Sequence, residues 1–293
     1  MSFLNIIPKD TDPKDMYQFL IGAISPRPIA LVSTISESGM LNLAPYSFFT
    51  ALSYNPAMLA FSCNLKGGDV KEKDTLINLK KTKNCVVNIV NYEISRQMTL
   101  CSIVYEHGIS EFEKSGLTPI RSDLVSSFRV KESPVQFECT VHNILALGNE
   151  AGASNLIICN IEKMHVLKSI MTDNLRRIDP NRLDVMGRLG RSNYVRVKGD
   201  NIIEMYQSTV DNCIGYNALP KSIQTSKLLS GFQIAELASV EKLPTHSTVN
   251  TFYNNLNIEN GDVDVYHLLA IEALERKNKE EALLLALIPE YFI

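Results

Sequence analysis

Two stretches of the sequence carry residue types that bind ligands, and they sit close together. The first is "NLAPYSFFTALSYNP", Asn42 to Pro56, which contains no charged side chain. Asn42, Ser47, Thr50 and Ser53 interrupt the aromatic bulk of Tyr46, Phe48 and Phe49, and Pro45 removes a backbone donor. The second is "SCNLKGGDVKEKDT", Ser62 to Thr75. It leaves a buried strand, bends at Gly67-Gly68, supplies Lys66, Lys71 and Lys73, and ends at Asp74-Thr75, where a helix is expected to begin. Free N–H groups and the positive dipole end make a helix start attractive to a phosphate, and a lysine and a hydroxyl add charge and a donor. A solvated charged loop with Asp74 as N-cap accounts for the same residues.

An uncharged aromatic segment suits a flat, neutral ring whose edge takes backbone N–H and C=O partners and whose faces take apolar cover. Flavin mononucleotide has such a ring at one end and a phosphate at the other. Phe48 and Phe49 must point to opposite faces of a strand, so at least one of them belongs to a core.

Arginine forms a third concentration. Arg176, Arg177, Arg182, Arg188, Arg191 and Arg196 fall close together, with Asp173, Asp179 and Asp184 interleaved. A run of solvated ion pairs explains the pattern. So does an anion-recognising rim, for a phosphorylated nicotinamide or an acidic partner. Metal chemistry is not indicated. The six cysteines include no C-x-x-C and lie mostly in apolar runs, which suits reduced, buried thiols; the five histidines are scattered. No catalytic acid or base stands out.

These residues need a scaffold, and the first two hundred residues read mainly as strands. "PIALVSTIS" (Pro28–Ser36), "MLNLAPYSFFTALS", "PAMLAFSC" and "NCVVNIVN" are short apolar or β-branched runs bounded by turn residues. In Ser133–Gly148, Val135, Phe137, Cys139 and Val141 alternate; in Ser154–Lys168, Ile157, Cys159 and Ile161 do. Two helical pieces are inserted, "TLINLKKT" and Ser95–Tyr105. Many short strands with few helices predict an antiparallel barrel, and the Gly-x-Gly-x-x-Gly turn of a dinucleotide-binding fold is missing. From about residue 200 the pattern turns helical, with apolar content concentrated in Leu228–Leu243 and Tyr266–Ile288 and a polar stretch between. Those two segments are expected to bury their faces better against the barrel, or across a dimer, than against each other.

The net charge of −3 and the lack of a sustained basic stripe argue against nucleic acid. No apolar run approaches the roughly 20 residues of a spanning helix, and no secretory signal opens the chain, so a cytoplasmic protein with no membrane partner is expected.

The motifs "SPRPIALVSTISESGMLNLAPYSFFTALSYNP", "KEKDTLINLKKTKNCVVNIV", "SPVQFECTV" and "GRLGRSNY" together resemble the flavin reductase-like, flavoredoxin-type FMN-binding split-barrel family, over about residues 15–197. The resemblance implies a mainly β fold with some α: a six-stranded antiparallel Greek-key barrel over residues 1–199, followed by a helical extension over 200–293. It implies a homodimer holding FMN noncovalently. It implies that Ser47, Phe48, Phe49 and Thr50 line the flavin ring, largely through backbone atoms; that Ser62, Cys63 and Asn64 follow the ribityl chain; and that Lys73, Asp74 and Thr75 meet the phosphate. Arg27 in "SPRPIA" matches a family arginine near the cofactor, and Arg188 matches one on the substrate side. Arg191 departs from the family, which usually has glycine there. The activity implied is NAD(P)H-dependent flavin reduction with NADH or NADPH as co-substrate. A flavoredoxin-like electron carrier serving a redox partner protein, or a non-enzymatic flavin-binding module, remains open.

Overall fold

A computed structural model describes residues 1–65, 71–106, 108–203, 205, 213–256 and 261–293. The Gly67-Gly68 bend and Lys66 lie outside the described residues. The chain divides into two compact units, Met1–Ile203 and Glu204–Ile293. Among the described residues, no helix is long and apolar enough to cross a membrane.

The first unit opens with α1 (Pro13–Ala23), whose N-cap Asp12 accepts from the Lys14 N–H. Strands β1 (Ala30–Ile35), β2 (Leu41–Tyr46), β3 (Phe49–Tyr54) and β4 (Ala57–Asn64) follow, then α2 (Asp74–Thr82) and β5 (Asn84–Ile89). Next come two short helices, α3 (Ser95–Leu100) and α4 (Glu111–Ser115), and the two-residue strands β6 (Pro119–Ile120) and β7 (Arg129–Val130). The long strands β8 (Val135–Ala146) and β9 (Ser154–Val166) precede α5 (Pro180–Leu183) and the hairpin of β10 (Met186–Arg188) and β11 (Tyr194–Arg196). The predicted helix at Ser95–Tyr105 therefore ends five residues early.

Seven strands form one antiparallel sheet in the order β2-β1-β5-β8-β9-β4-β3. Its two edge strands, β2 and β3, are joined in sequence by Ser47 and Phe48 alone. The sheet therefore curls until its edges meet at that connection, without a ladder to close it: a split barrel. The difference from the expected six strands is this break, since β2 and β3 are two halves of one chain segment that leaves β1 and joins β4.

Residues at the start of β1 serve two cores, which explains the apolar run Ile29–Val32. Ala30 and Val32 face an inner core with Tyr46, Phe61, Cys85 and Ile157, which Leu76 and Leu79 of α2 plug. Ile29 and Leu31 face an outer core with Met98 and Phe112 of the short helices. The expected alternation on β8 holds for Phe137, Cys139 and Val141, which all face the inner core. Irregularities after Glu138 and after Val141 shift the register of β8 with β9, and Glu138, on the other face, is buried as well.

The second unit contains α6 (Lys221–Gln224), α7 (Gly231–Ala238), α8 (His246–Asn254), α9 (Val263–Glu275) and α10 (Lys279–Phe292). Ile234 and Leu237 share one core with Tyr266, Ala270, Ala286 and Leu287. The expectation that the two apolar segments would bury their faces elsewhere than against each other is thus corrected. The polar stretch between them adds α8, whose Val249 completes that core. A Thr245 cap starts α8, its side chain accepting from the Thr248 N–H.

Candidate functional site

The seam between β2 and β3 carries two adjoining cavities that share Pro45 and Ser102 as a common wall. Both strands are sheet edges, so each has a row of backbone groups that the sheet does not use. The connection is fixed to β4 by the Ser62 N–H, which donates to the Phe48 carbonyl at 2.8 Å. Phe49 packs on the inner core while the Phe48 ring lies 5.8 Å from the Arg27 guanidinium, so the adjacent rings diverge as strand geometry requires. Thr50 is exposed and its hydroxyl donates to the Ala51 carbonyl.

The smaller cavity, about 200 Å³, gathers Lys73, Asp74 and Thr75 with Asn42, Tyr46 and Glu111. Helix α2 starts here, and its N-cap, Lys73, makes no side-chain cap bond. The Thr75 hydroxyl is buried and accepts from the Asn42 amide at 3.0 Å. The Lys73 ammonium lies 5.4 Å from the Tyr46 ring centre, an anchoring cation–π distance. Uncapped N–H groups beside a lysine fit a phosphate. Glu111 works against an anion, but burial raises its pKa and it is engaged by the Leu43 N–H at 2.9 Å.

The larger cavity, about 440 Å³, contains Arg27, Ser47, Arg188 and Arg191, with Tyr17 and Tyr194 at its sides. Its size falls in the range of about 300–1,000 Å³ typical of small-molecule sites. Arg27 is 5% exposed. Its guanidinium donates to the carbonyls of Ile21 and Ile24, both at 2.6 Å, and of Leu189 at 3.0 Å, and approaches the Ser47 hydroxyl at 3.4 Å. Burial lowers its pKa, and the neighbouring Arg188 charge lowers it further. Backbone bonds exchanged between Arg27 and Arg188, both at 2.8 Å, stitch the β10–β11 hairpin to the chain before β1. Gly187 makes this approach possible: a Cβ there would sit 3.0 Å from Val195 and 3.1 Å from Pro26. Arg188 donates to the Tyr194 hydroxyl and the Arg191 carbonyl, its guanidinium 4.5 Å from the Tyr194 ring centre. Arg191 adopts a φ of 53°, the left-handed region that costs a residue with a side chain about 1–2 kcal/mol.

A family model described as "Flavin reductase like domain" matches residues 22–177, more than half of the chain. The chain belongs to the flavin reductase-like family. A protein of Aquifex aeolicus with no assigned activity is 34% identical over 67% of this chain and 97% of its own. Nitrilotriacetate monooxygenase component B from Bacillus cereus is 30% identical, with a TM-score of 0.64 over 71% of this chain and 99% of that one. A Shewanella frigidimarina protein with a split barrel domain shares the fold at a TM-score of 0.59 and 22% identity, over 68% of this chain and 96% of that one.

Within this flavin reductase-like unit, the residues singled out in the sequence fall into three places. Arg27, Ser47 and Arg188 share the larger cavity, Lys73, Asp74 and Thr75 share the smaller, and Ser62 and Asn64 lie on β4, partly exposed. Cys63 points the other way. Its thiol is fully buried in the inner core, 3.5 Å from the Tyr46 hydroxyl, and burial raises its pKa, so only its backbone can reach a ligand. Asn42, a polar residue of the uncharged stretch, lines the smaller cavity, and Tyr17, Ser102 and Glu111 also line these cavities although nothing local in the sequence marks them.

Another hollow, about 590 Å³ beside Gly39, Met40 and Thr118, holds none of the predicted residues. Asp123, Glu138 and His165 bring possible metal ligands within 4.8 Å of one another. Lys163, 2.6 Å from Asp123, and Arg129, 3.7 Å from Glu138, already supply the positive charge there.

Proposed function

We propose that the chain is an FMN-binding oxidoreductase, a flavin reductase that takes hydride from NADH or NADPH. The observation that carries this reading is the pair of adjoining cavities on the β2–β3 seam, with a lysine-marked helix start at one end and Arg27 and Ser47 at the other. Lys73 and the first N–H groups of α2 would hold the phosphate, and the backbone of residues 47–50 would meet the ring edge. Bound flavin supplies hydride acceptance and onward electron transfer. The chain's own part is to bind, orient and keep one side accessible, so no side-chain acid or base is assigned. Edge strand β3 carries Leu52, 50% exposed, and Tyr54, 96% exposed, an apolar face that a second copy of the chain would cover.

Anaerobic mixing of the FMN-loaded protein with NADH or NADPH tests the activity. Rapid bleaching of flavin absorbance is expected; bleaching only by a reduced partner protein would make the chain an electron carrier. The phosphate site has its own test. Lys73→Ala should weaken FMN about 10- to 150-fold, from the roughly 1.5–3 kcal/mol of one charge-assisted contact, and leave riboflavin binding unchanged. Equal weakening of both ligands would displace the phosphate from Lys73.

A further inference from the structure

We infer that the larger cavity is a subsite for an oxyanion, the carboxylate or phosphate group of a small organic molecule, and that Arg191 sets its specificity. Arg27, Arg188 and Arg191 line it, and among the described lining residues there is no carboxylate. Other arginines of the same run are matched by acids: Arg196 lies 2.6 Å from Asp184, and Arg182 lies 2.8 Å from Asp173. The partners of Arg27 and Arg188 are neutral instead, namely the carbonyls of Ile21, Ile24, Leu189 and Arg191 and the Tyr194 hydroxyl.

Neutral acceptors orient a guanidinium but leave its charge standing. For a side chain as buried as Arg27, uncompensated charge is unfavourable, and an arriving anion relieves it. Arg188 is already oriented by two bonds and by the Tyr194 ring, so little side-chain freedom is lost when an anion docks. Arg191, in the turn between β10 and β11, adds a third arginine to the lining. Its left-handed backbone is one that glycine adopts freely, so its side chain is not needed to shape the turn. Tyr17 and Met98 give the cavity an apolar side, which suits the organic body that carries the anion. Binding of the anion does not depend on flavin; only its role as the flavin's redox partner rests on the proposed function.

The test is calorimetric titration of the full-length protein with benzoate, with inorganic phosphate, and with benzamide as the neutral match for benzoate. At least one anion should bind, and if it is benzoate it should bind about tenfold or more tighter than benzamide. Arg191→Gly, which relaxes the backbone, should weaken that anion about tenfold, one charge-assisted contact at a partly hydrated position, and Arg191→Lys should recover part of the loss. Preference for benzoate points to a carboxylate substrate, and preference for phosphate to a phosphorylated nucleotide. The inference is overturned if neither anion binds, if benzoate and benzamide bind alike and phosphate does not bind, or if Arg191→Gly changes nothing. Arg191-dependent anion binding by a protein that never retains flavin would keep the subsite and remove the flavin reading. A flavin that is bleached by nicotinamide in a protein indifferent to both anions would do the reverse.

Discussion

The first unit contains two concentrations of charge, and they are built differently. At Glu138 the carboxylate is fully buried and surrounded. It accepts from the Asp123 and Leu124 N–H groups at 2.9 and 2.6 Å and lies 2.7 Å from His165 Nε2, with Arg129 behind at 3.7 Å. Asp123 in turn meets Lys163 at 2.6 Å. Acids and bases there are matched. At Arg27, three arginines line one cavity, and the hydrogen-bond partners of Arg27 and Arg188 are carbonyls and hydroxyls. The first cluster is closed and fastens the 121–128 loop to the sheet. The second is open and has attraction left over for a ligand. A count of charged residues would rate the two alike; the sign and identity of each partner separates them.

Breaking the closed cluster should cost most. Glu138→Ala strands Arg129, His165 and two N–H groups and should destabilise the protein by about 3–5 kcal/mol in urea unfolding. A loss under 1 kcal/mol would mean that the network only decorates the surface. The same carboxylate gives a pH signature. Burial tends to raise its pKa, but the two N–H groups and His165 outweigh that and hold it below the ordinary glutamate value. Its contribution is therefore complete above the unfolded pKa, about 4.3, and is lost as pH falls through the lower folded value. Native protein should lose stability through that acid window more steeply than Glu138→Gln. Parallel curves would remove Glu138 as the source.

Arg27 comes next in expected effect. Arg27→Lys keeps the charge but loses the fork that reaches Ile21, Ile24 and Leu189, leaving buried carbonyls unmet at about 1–3 kcal/mol. Wild-type unfolding midpoints would show that the carbonyls find other donors. The smallest effect belongs to Arg182, whose partner Asp173 is 92% exposed. Arg182→Ala should leave the urea midpoint nearly unchanged, and added salt should erase any remaining difference. A larger, salt-insensitive loss would show that the exposed pairs of this run are not the solvated ones they resemble.

Much of this was legible in the sequence because it is local. The β-branched runs became strands, the lysine-marked helix start became α2, and the uncharged stretch became the seam. What was illegible depends on distant partners. Asp123, Glu138 and His165 meet only through the pairing of β8 with β9 and the loop over them, and that loop, whose Asp123 and Leu124 N–H groups bond Glu138, buries a residue that alternation would expose. The arginine run divides into paired and unpaired members only when Arg27, far away in sequence, arrives beside Arg188. Helix α8 was hidden because its residues are mostly polar, and its start is set by a cap more than by apolar periodicity.

The helical unit buries its own apolar residues in its own core. The family match ends at residue 177, and the Bacillus cereus structure is covered almost completely by 71% of this chain. A segment of that kind behaves in evolution as a cassette. Its sequence can drift, and its helices can be retuned, under constraints set mainly by its own interior, while the barrel drifts under others. Substitution rates in the two units of related chains are then free to diverge.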